Sequence, residues 1–404
     1  MSHSTIPNWH DPLFIQNPYP AYGALRREHP VAWDSGRGIW VVSSHRDCQK
    51  ILKDPRFLSN RSSQFLQQYA PEEQEELKEL FDGLNHLAIY QDGAVHTAVR
   101  APLVRAFAMR TQASFSGAIE DELNVIFAKL HGQKKADLFQ SLALQLPLAV
   151  ICRVLQIPLD QGRELHRWST EIARFLDNST DVAVARQALQ ALRNFQGYLR
   201  PMIEQRAHSG EQDLVSLLAS LKTGDAGVSQ DDIVGNVILV FMAGHETTMA
   251  LIANGIHLIW SRPDLLKSLR QDRGLIAQAV EEVMRFDTPA QRIGRRIGED
   301  VHWNGCHEFK KGQFVQILLG AANRDGREFE RADEFDIYRT KNSHLGFGSG
   351  AHYCVGAQLA RLEAGQAFAR LLEAFPNMQL MDQEAPYIPN VTLRCRASVR
   401  VMLG

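Results

Sequence analysis

Cysteine is scarce: five residues (Cys48, Cys152, Cys306, Cys354 and Cys395) in a chain of 404. Their number is odd, their spacing wide, and no C-x-x-C pair occurs, which argues against a disulfide framework and a structural zinc site. Neither sign of charge dominates, since 44 Lys+Arg against 46 Asp+Glu leave a formal net charge of −2. The chain therefore has no global field to draw nucleic acid or an anionic membrane. The opening residues, MSHSTIPNWHDPLF, hold no basic stretch followed by an apolar one, so no signal peptide is read. Flexible linkers and internal repeats are missing as well. The longest apolar stretch, Ile233 to Trp260, is broken by Gly244-His245-Glu246-Thr247-Thr248, and a membrane span would hardly carry that cluster at its centre. The expectation is a soluble, cytoplasmic protein with neither nucleic acid nor membrane as partner.

What is present is ordinary globular composition, 45% hydrophobic and 22% charged, which excludes disorder, collagen and coiled coil. Residues up to about 58 mix a short helix (Pro20 to His29) with strand-like runs such as Gly38–Val42. From Val95 to Phe286 the pattern is overwhelmingly helical, with turns expected at Asp177–Ser179 and Thr223–Gly227. Short β-type segments return from Val301 to about Leu319, a last helix runs from about Cys354 to Phe375, and further short strands follow. The texture predicts a mostly α fold with a small β-rich lobe. That lobe is drawn from about 1–58, 289–340 and 376–404, and the helical lobe from about 95–286 and 354–375, all within one domain of residues 1–404. Ser229 and Asp232 stand in capping-box spacing before the apolar run, and Pro263 follows its end. Its first half is apolar nearly all round, which predicts a helix buried through the centre of a large domain. The polar segment at its middle must then be satisfied or used.

Three motif readings compete there and further on. His245-Glu246-Thr247-Thr248-Met249 has Met249 where a zinc helix needs its second histidine, so the zinc-hydrolase reading fails. The bland alternative is a polar interruption in which Thr247 or Thr248 bonds the carbonyl four residues back. Gly346-Phe347-Gly348-Ser349-Gly350-Ala351 matches a dinucleotide fingerprint formally, but Lys341–Leu345 ahead of it is no buried strand. The longer segment Phe347-Gly348-Ser349-Gly350-Ala351-His352-Tyr353-Cys354-Val355-Gly356 is far more specific. Glycines around one cysteine just before a helix let the backbone pass close to a flat ligand. Amide groups and the helix N-terminus favour the thiolate, the form an anionic metal ligand requires.

The segment resembles the haem-binding loop F-G-x-G-x-H-x-C-x-G of the cytochrome P450 family, the soluble bacterial haem-thiolate monooxygenases in particular. The likeness extends over essentially the whole chain. Ala243–Thr248 is similar to that family's oxygen-activation segment, Glu282-Val283-Met284-Arg285 to its E-x-x-R pair, and Arg339 to the arginine that completes the ion-pair cluster. Ala322-Asn323-Arg324-Asp325 and His344-Leu345-Gly346-Phe347-Gly348 are further signatures. The resemblance implies haem b (iron protoporphyrin IX) held between the long central helix and the cysteine-loop helix, with Cys354 as the iron ligand and Phe347, Gly348 and Gly356 around it. It implies His96, Arg100, Arg295 and His352 as partners of the haem propionates. One departure is Asp92-Gly93-Ala94, where the family usually shows Asp-Pro-Pro, and a looser helix start is expected there.

As catalytic residues the resemblance implies Thr247, the hydroxyl beside bound oxygen, and Glu246, a proton relay; Gly244 would make room for dioxygen. The Glu282–Arg285–Arg339 cluster is expected to be buried and structural rather than catalytic. The implied reaction is insertion of one atom of O2 into a small-to-medium apolar substrate, by hydroxylation or epoxidation. Leu239, Ala243 and Ile293 are candidate substrate contacts, with Ser59–Asp92, Trp168–Val184, Pro289–Gly294 and Pro389–Leu393 as pocket segments. Arg292 could meet a substrate carboxylate but reads more simply as solvent-facing. No flavin or iron–sulfur motif occurs, so electrons are expected from a separate ferredoxin and ferredoxin reductase with NAD(P)H. Arg100, Arg105, Arg110 and Arg361 are candidates for an acidic partner's docking patch. A monomer is expected. A peroxide-driven haem enzyme and a haem-thiolate sensor without turnover are the alternatives, and the intact Glu246-Thr247 pair weighs against both.

Overall fold

The computed structural model describes residues 6–109, 112–177, 180–211, 213–221 and 227–404. The chain divides into two compact units, one of Met1–Phe57, Ile119–Pro147 and Glu246–Gly404, the other of Leu58–Ala118 and Leu148–His245.

The first unit carries the sheets. In chain order the strands are β1 (Val31–Asp34), β2 (Ile39–Val42), β3 (Phe57–Leu58), β4 (Lys135–Asp137), β5 (Arg292–Ile297), β6 (Val301–Trp303), β7 (His307–Phe309), β8 (Phe314–Leu318), β9 (Gln379–Leu380) and β10 (Arg400–Met402). The main sheet has the order β1-β2-β8-β5-β3. Trp33 lies opposite Trp40 in the β1–β2 hairpin, β2 runs parallel to β8, and Arg295 on β5 faces Val315 across an antiparallel pair. Val315 and Ile317 alternate with the half-buried Gln316, so one face of β8 enters a core with Val42, Ile51 and Ile297. The expected first helix is found at Tyr19–Glu28. The last runs Ala357–Ala374, starting later than expected because the backbone turns away from helix at Tyr353 (ψ 137°) and Gly356 is the cap.

The stretch read as overwhelmingly helical contains β4 and a π-helical turn at Phe139–Ala143. Lys-Ala-Asp has little strand preference of its own. It is extended because Ala136 pairs with Val401 on β10, a partner far along the chain.

The second unit is helical. Ser59–Asp92, expected from the resemblance to be a pocket segment, includes a helix at Pro71–Asn85. Pro71 opens it, the Ala70 amide donates to Glu73 (3.1 Å), and Leu77, Leu80, Phe81 and Leu84 form its buried stripe. Glu76 and Glu79 on its outer face each take a forked pair of bonds, from Arg186 and Arg193 of the helix Val182–Arg206. Residues 178–179 and 223–226 of the two expected turns lie outside the described residues.

The central helix spans Gln230–Trp260, 31 residues. Its start is the expected capping box: the Asp232 amide donates to Ser229 Oγ (3.1 Å), and Asp232 Oδ2 accepts from the Ser229 amide (2.7 Å). Among the described residues it is the one helix long and apolar enough to cross a membrane by itself, and 72% of its apolar window is buried inside the protein. The boundary of the two units falls within it, between His245 and Glu246.

Candidate active site

The cysteine loop is built by glycines in positions no other residue would fill easily. Gly348 and Gly350 both have φ +73°, in the left-handed region that side chains avoid. A Cβ on Gly350 would lie 2.6 Å from the Leu52 carbonyl oxygen, and one on Gly346 would lie 2.9 Å from Thr288 Oγ1. The loop closes on itself where the Cys354 amide donates to the Phe347 carbonyl (2.9 Å) and the Gly348 amide to the Leu345 carbonyl (2.8 Å). Cys354 is exposed, just ahead of the helix that begins at Ala357. Cys48, Cys152 and Cys395 are buried instead. Burial, with Asp287 and Glu246 adding negative charge, pushes the Cys395 thiol up to about 12, and burial also drives Cys48 upward. Those two thiols resist becoming thiolates.

The four residues that the resemblance implies as propionate partners fall in both units. In the same unit as Cys354, Arg295 on β5 is buried and donates to the Gly294 carbonyl (2.9 Å), and His352 is half-buried in the 3-10 turn. In the other unit, buried His96 and half-buried Arg100 lie one turn apart on the helix Gly93–Met109. That helix does not start as expected. Gly93 has φ +63°, which proline cannot adopt, so the departure from Asp-Pro-Pro has a conformational cause. Asp92 is not loosened either: its carboxylate accepts from the amides of Ser59 (3.0 Å) and Asn60 (2.8 Å). Within the first unit, an accessible thiol in a glycine-shaped turn, with Arg295 and His352 as partners for carboxylates, is a donor set that suits an anionic metalloporphyrin.

On the central helix the side chains of Leu239, Ala243 and Thr247 recur every fourth residue and remain accessible, while Val237, Ile238, Val240 and Phe241 are buried. Glu246 is half-buried beside this stripe. Gly244 has a packing explanation, since a Cβ there would lie 2.5 Å from Ile151 Cδ1. His245 makes the bond to the carbonyl four residues back: its Nδ1 lies 2.7 Å from the Phe241 oxygen. A carbonyl only accepts, so Nδ1 carries the proton and Nε2 is left to accept from His166 Nδ1 at 2.9 Å. Burial, followed by the His166 charge, lowers His245 to about 3.

Ile293 on β5 is half-buried and packs with Trp40 and Ala290 against the sheet core. Arg292, expected to face solvent, is half-buried and donates from Nε to Thr392 Oγ1 (3.1 Å). Arg105 is exposed, Arg110 lies outside the described residues, and Arg361 is half-buried and paired with Glu281.

Glu282 and Arg285 are both 0% exposed and joined by two bonds of 2.9 and 2.7 Å. The remaining guanidinium protons reach the carbonyls of Asn323, Ala332 and Glu334, and Glu282 also accepts from Arg339, Asn342 and the Asp336 amide. Every charge is thus satisfied without water. Two contributors escaped sequence reasoning. Glu281 was legible only as the neighbour of Glu282, and nothing local marks His166 as the partner of His245.

Comparison with known proteins agrees with this geometry. The family model described as Cytochrome P450 matches residues 33–394. The "Biotin biosynthesis cytochrome P450" of Bacillus subtilis (strain 168) is 32% identical over 382 residues, covering 93% of this chain and 93% of its own length. The "Vitamin D(3) 25-hydroxylase" of Pseudonocardia autotrophica is 33% identical over 91% of this chain and 88% of its own. A crystal structure of P450BioI in complex with hexadec-9Z-enoic acid ligated acyl carrier protein superposes with TM-score 0.88 at 29% identity, covering 97% of this chain and 100% of that one. With the glycine-shaped cysteine turn and the buried Glu282–Arg285 pair, these likenesses mean that the chain belongs to the cytochrome P450 family: it has the P450 fold, its cofactor is haem b, and it is a monooxygenase.

Proposed function

We propose that the chain, acting as one catalytic domain of residues 1–404 in the cytoplasm, hydroxylates or epoxidises a small-to-medium, largely apolar molecule. Electrons come from a separate ferredoxin and its NAD(P)H-dependent reductase. The observation that carries the reading is the cysteine turn, closed by the Cys354–Phe347 hydrogen bond, with an accessible sulfur at the opening of a helix. Bound haem b supplies the oxygen-activating redox chemistry.

The residues divide the remaining tasks. Cys354 ligates iron as a thiolate, favoured by the positive end of its helix, and Phe347, Gly348 and Gly356 shape the turn. Arg295, His352, His96 and Arg100 neutralise and hold the propionates. Thr247 holds a proton at its hydroxyl and Glu246 passes protons inward from solvent. Leu239, Ala243 and Ile293 offer apolar contact to the substrate, so orientation comes from shape rather than charge. Among the relatives are a biotin biosynthesis cytochrome P450 and a vitamin D(3) 25-hydroxylase, and P450BioI is seen with hexadec-9Z-enoic acid on acyl carrier protein; the last two favour a mainly apolar substrate here. Arg105, exposed on the helix Gly93–Met109, is available to an acidic electron donor.

The test is a screen of apolar ligands for loss of the water-ligated haem spectrum, then product analysis with surrogate ferredoxin and reductase. The expected product is one oxygen atom heavier and depends on NAD(P)H. Turnover with peroxide but none with NAD(P)H, ferredoxin and reductase would overturn the reading.

A further inference from the structure

Arg361 sits seven residues beyond Cys354, on the helix Ala357–Ala374. Its guanidinium makes a forked bond to Glu281, Nε to Oε1 at 2.6 Å and Nη2 to Oε2 at 3.0 Å. The centre of the guanidinium also lies 4.3 Å from the Phe347 ring centroid, and the side chain is hydrogen-bonded to Tyr353. One cation therefore touches both ends of the turn that presents Cys354. Those ends are also joined by the bond from the Cys354 amide to the Phe347 carbonyl (2.9 Å).

Glu281 is held from a second side. The Gly346 amide donates to His344 Nδ1 (3.1 Å), which leaves His344 Nε2 as the donor to Glu281 (3.1 Å). Burial alone would raise the Glu281 carboxyl, but the bonds from His344 and Arg361 outweigh it and hold it at about 2. It is thus a permanent anion at neutral pH. A half-exposed ion pair contributes little by itself. A planar fork that is stacked on a ring at the same time is different, because each contact fixes the geometry of the other.

We propose that Arg361 is a positioning residue for Cys354: clamped by Glu281, it holds Phe347 and Tyr353 together and keeps the thiolate where it ligates iron. The proposal rests on the reading of Cys354 as the iron ligand. It gives Arg361 a task at the turn beyond the docking role expected from the sequence.

The experiment uses the haem-loaded parent with Arg361→Lys, Arg361→Gln and Glu281→Gln. Two quantities are followed: the rate at which the reduced carbon monoxide complex loses its red-shifted Soret band for the blue-shifted, thiolate-lost form, and the ferric/ferrous midpoint potential. Lys keeps the charge and loses the fork, while Glu281→Gln keeps the shape and weakens the clamp. All three variants are expected to lose the red-shifted band several-fold faster than the parent. Arg361→Gln is also expected to lower the midpoint potential, since removing a nearby cation favours the ferric state. Parent-like decay in Arg361→Lys would show that charge alone suffices and overturn the clamp. So would parent-like decay and potential in Glu281→Gln. Absence of the red-shifted band from the parent would strike the assignment of Cys354 instead.

Discussion

His166 and His245 meet nitrogen to nitrogen at 2.9 Å, with His166 as donor because the other nitrogen of His245 is committed to the Phe241 carbonyl. The pair ties the helix Leu159–Asp177 to the central helix immediately before Glu246 and Thr247. It also works only while His245 is neutral.

Acid should therefore weaken the protein through this pair. Burial, then the His166 charge, takes His245 from 6.5 to about 3. Between these values the unfolded chain binds a proton that the folded chain refuses. The stabilisation is complete above about pH 6.5 and is lost as pH falls toward 3. His166, lowered by burial, contributes with the same sign. His245→Phe should be less stable than the parent at neutral pH, and the gap should narrow by about 2 kcal/mol between pH 7 and pH 5. Urea unfolding at the two pH values checks this, and a gap that stays constant would remove His245 from the pH dependence.

Cys354→Ser should abolish the red-shifted Soret band of the reduced carbon monoxide complex. The buried Cys48, Cys152 and Cys395 are poor substitutes, and Cys306, though exposed, lies in the β6–β7 turn between two strands and opens no helix. A variant that keeps the band would sink the assignment.

Glu282→Ala or Arg285→Ala should yield little soluble, haem-loaded protein. Each leaves an uncompensated buried charge, at a cost of about 3–5 kcal/mol. Expression level and haem content per chain are the measurements, and normal values for either variant would contradict a cluster that holds the fold together.

Thr247→Ala should still bind haem, substrate and carbon monoxide, because the task proposed for the hydroxyl begins only once oxygen is being reduced. Product formed per NAD(P)H consumed should fall by roughly tenfold or more, the scale of a lost proton donor, with hydrogen peroxide released in its place. Coupling equal to the parent's would move the role to Thr248 or to water.

The chemistry of this protein is written locally. Gly348, Gly350 and a cysteine within Phe347–Gly356 dictate the turn, since left-handed backbone and close approach are properties of single residues. The Ser229–Asp232 box and the apolar run behind it likewise specify the central helix and its start.

Pairings between distant segments were decided by the tertiary structure alone. His166 finds His245 across 79 residues and Arg361 finds Glu281 across 80. Lys135–Asp137 is a strand only because Arg400–Met402 lies beside it. Which residue faces which depends on register and close packing between elements, and no local propensity carries that information. Arg361 accordingly reads as a surface cation in the sequence and becomes a clamp on the cysteine turn only when the helix Ala357–Ala374 brings it against Phe347.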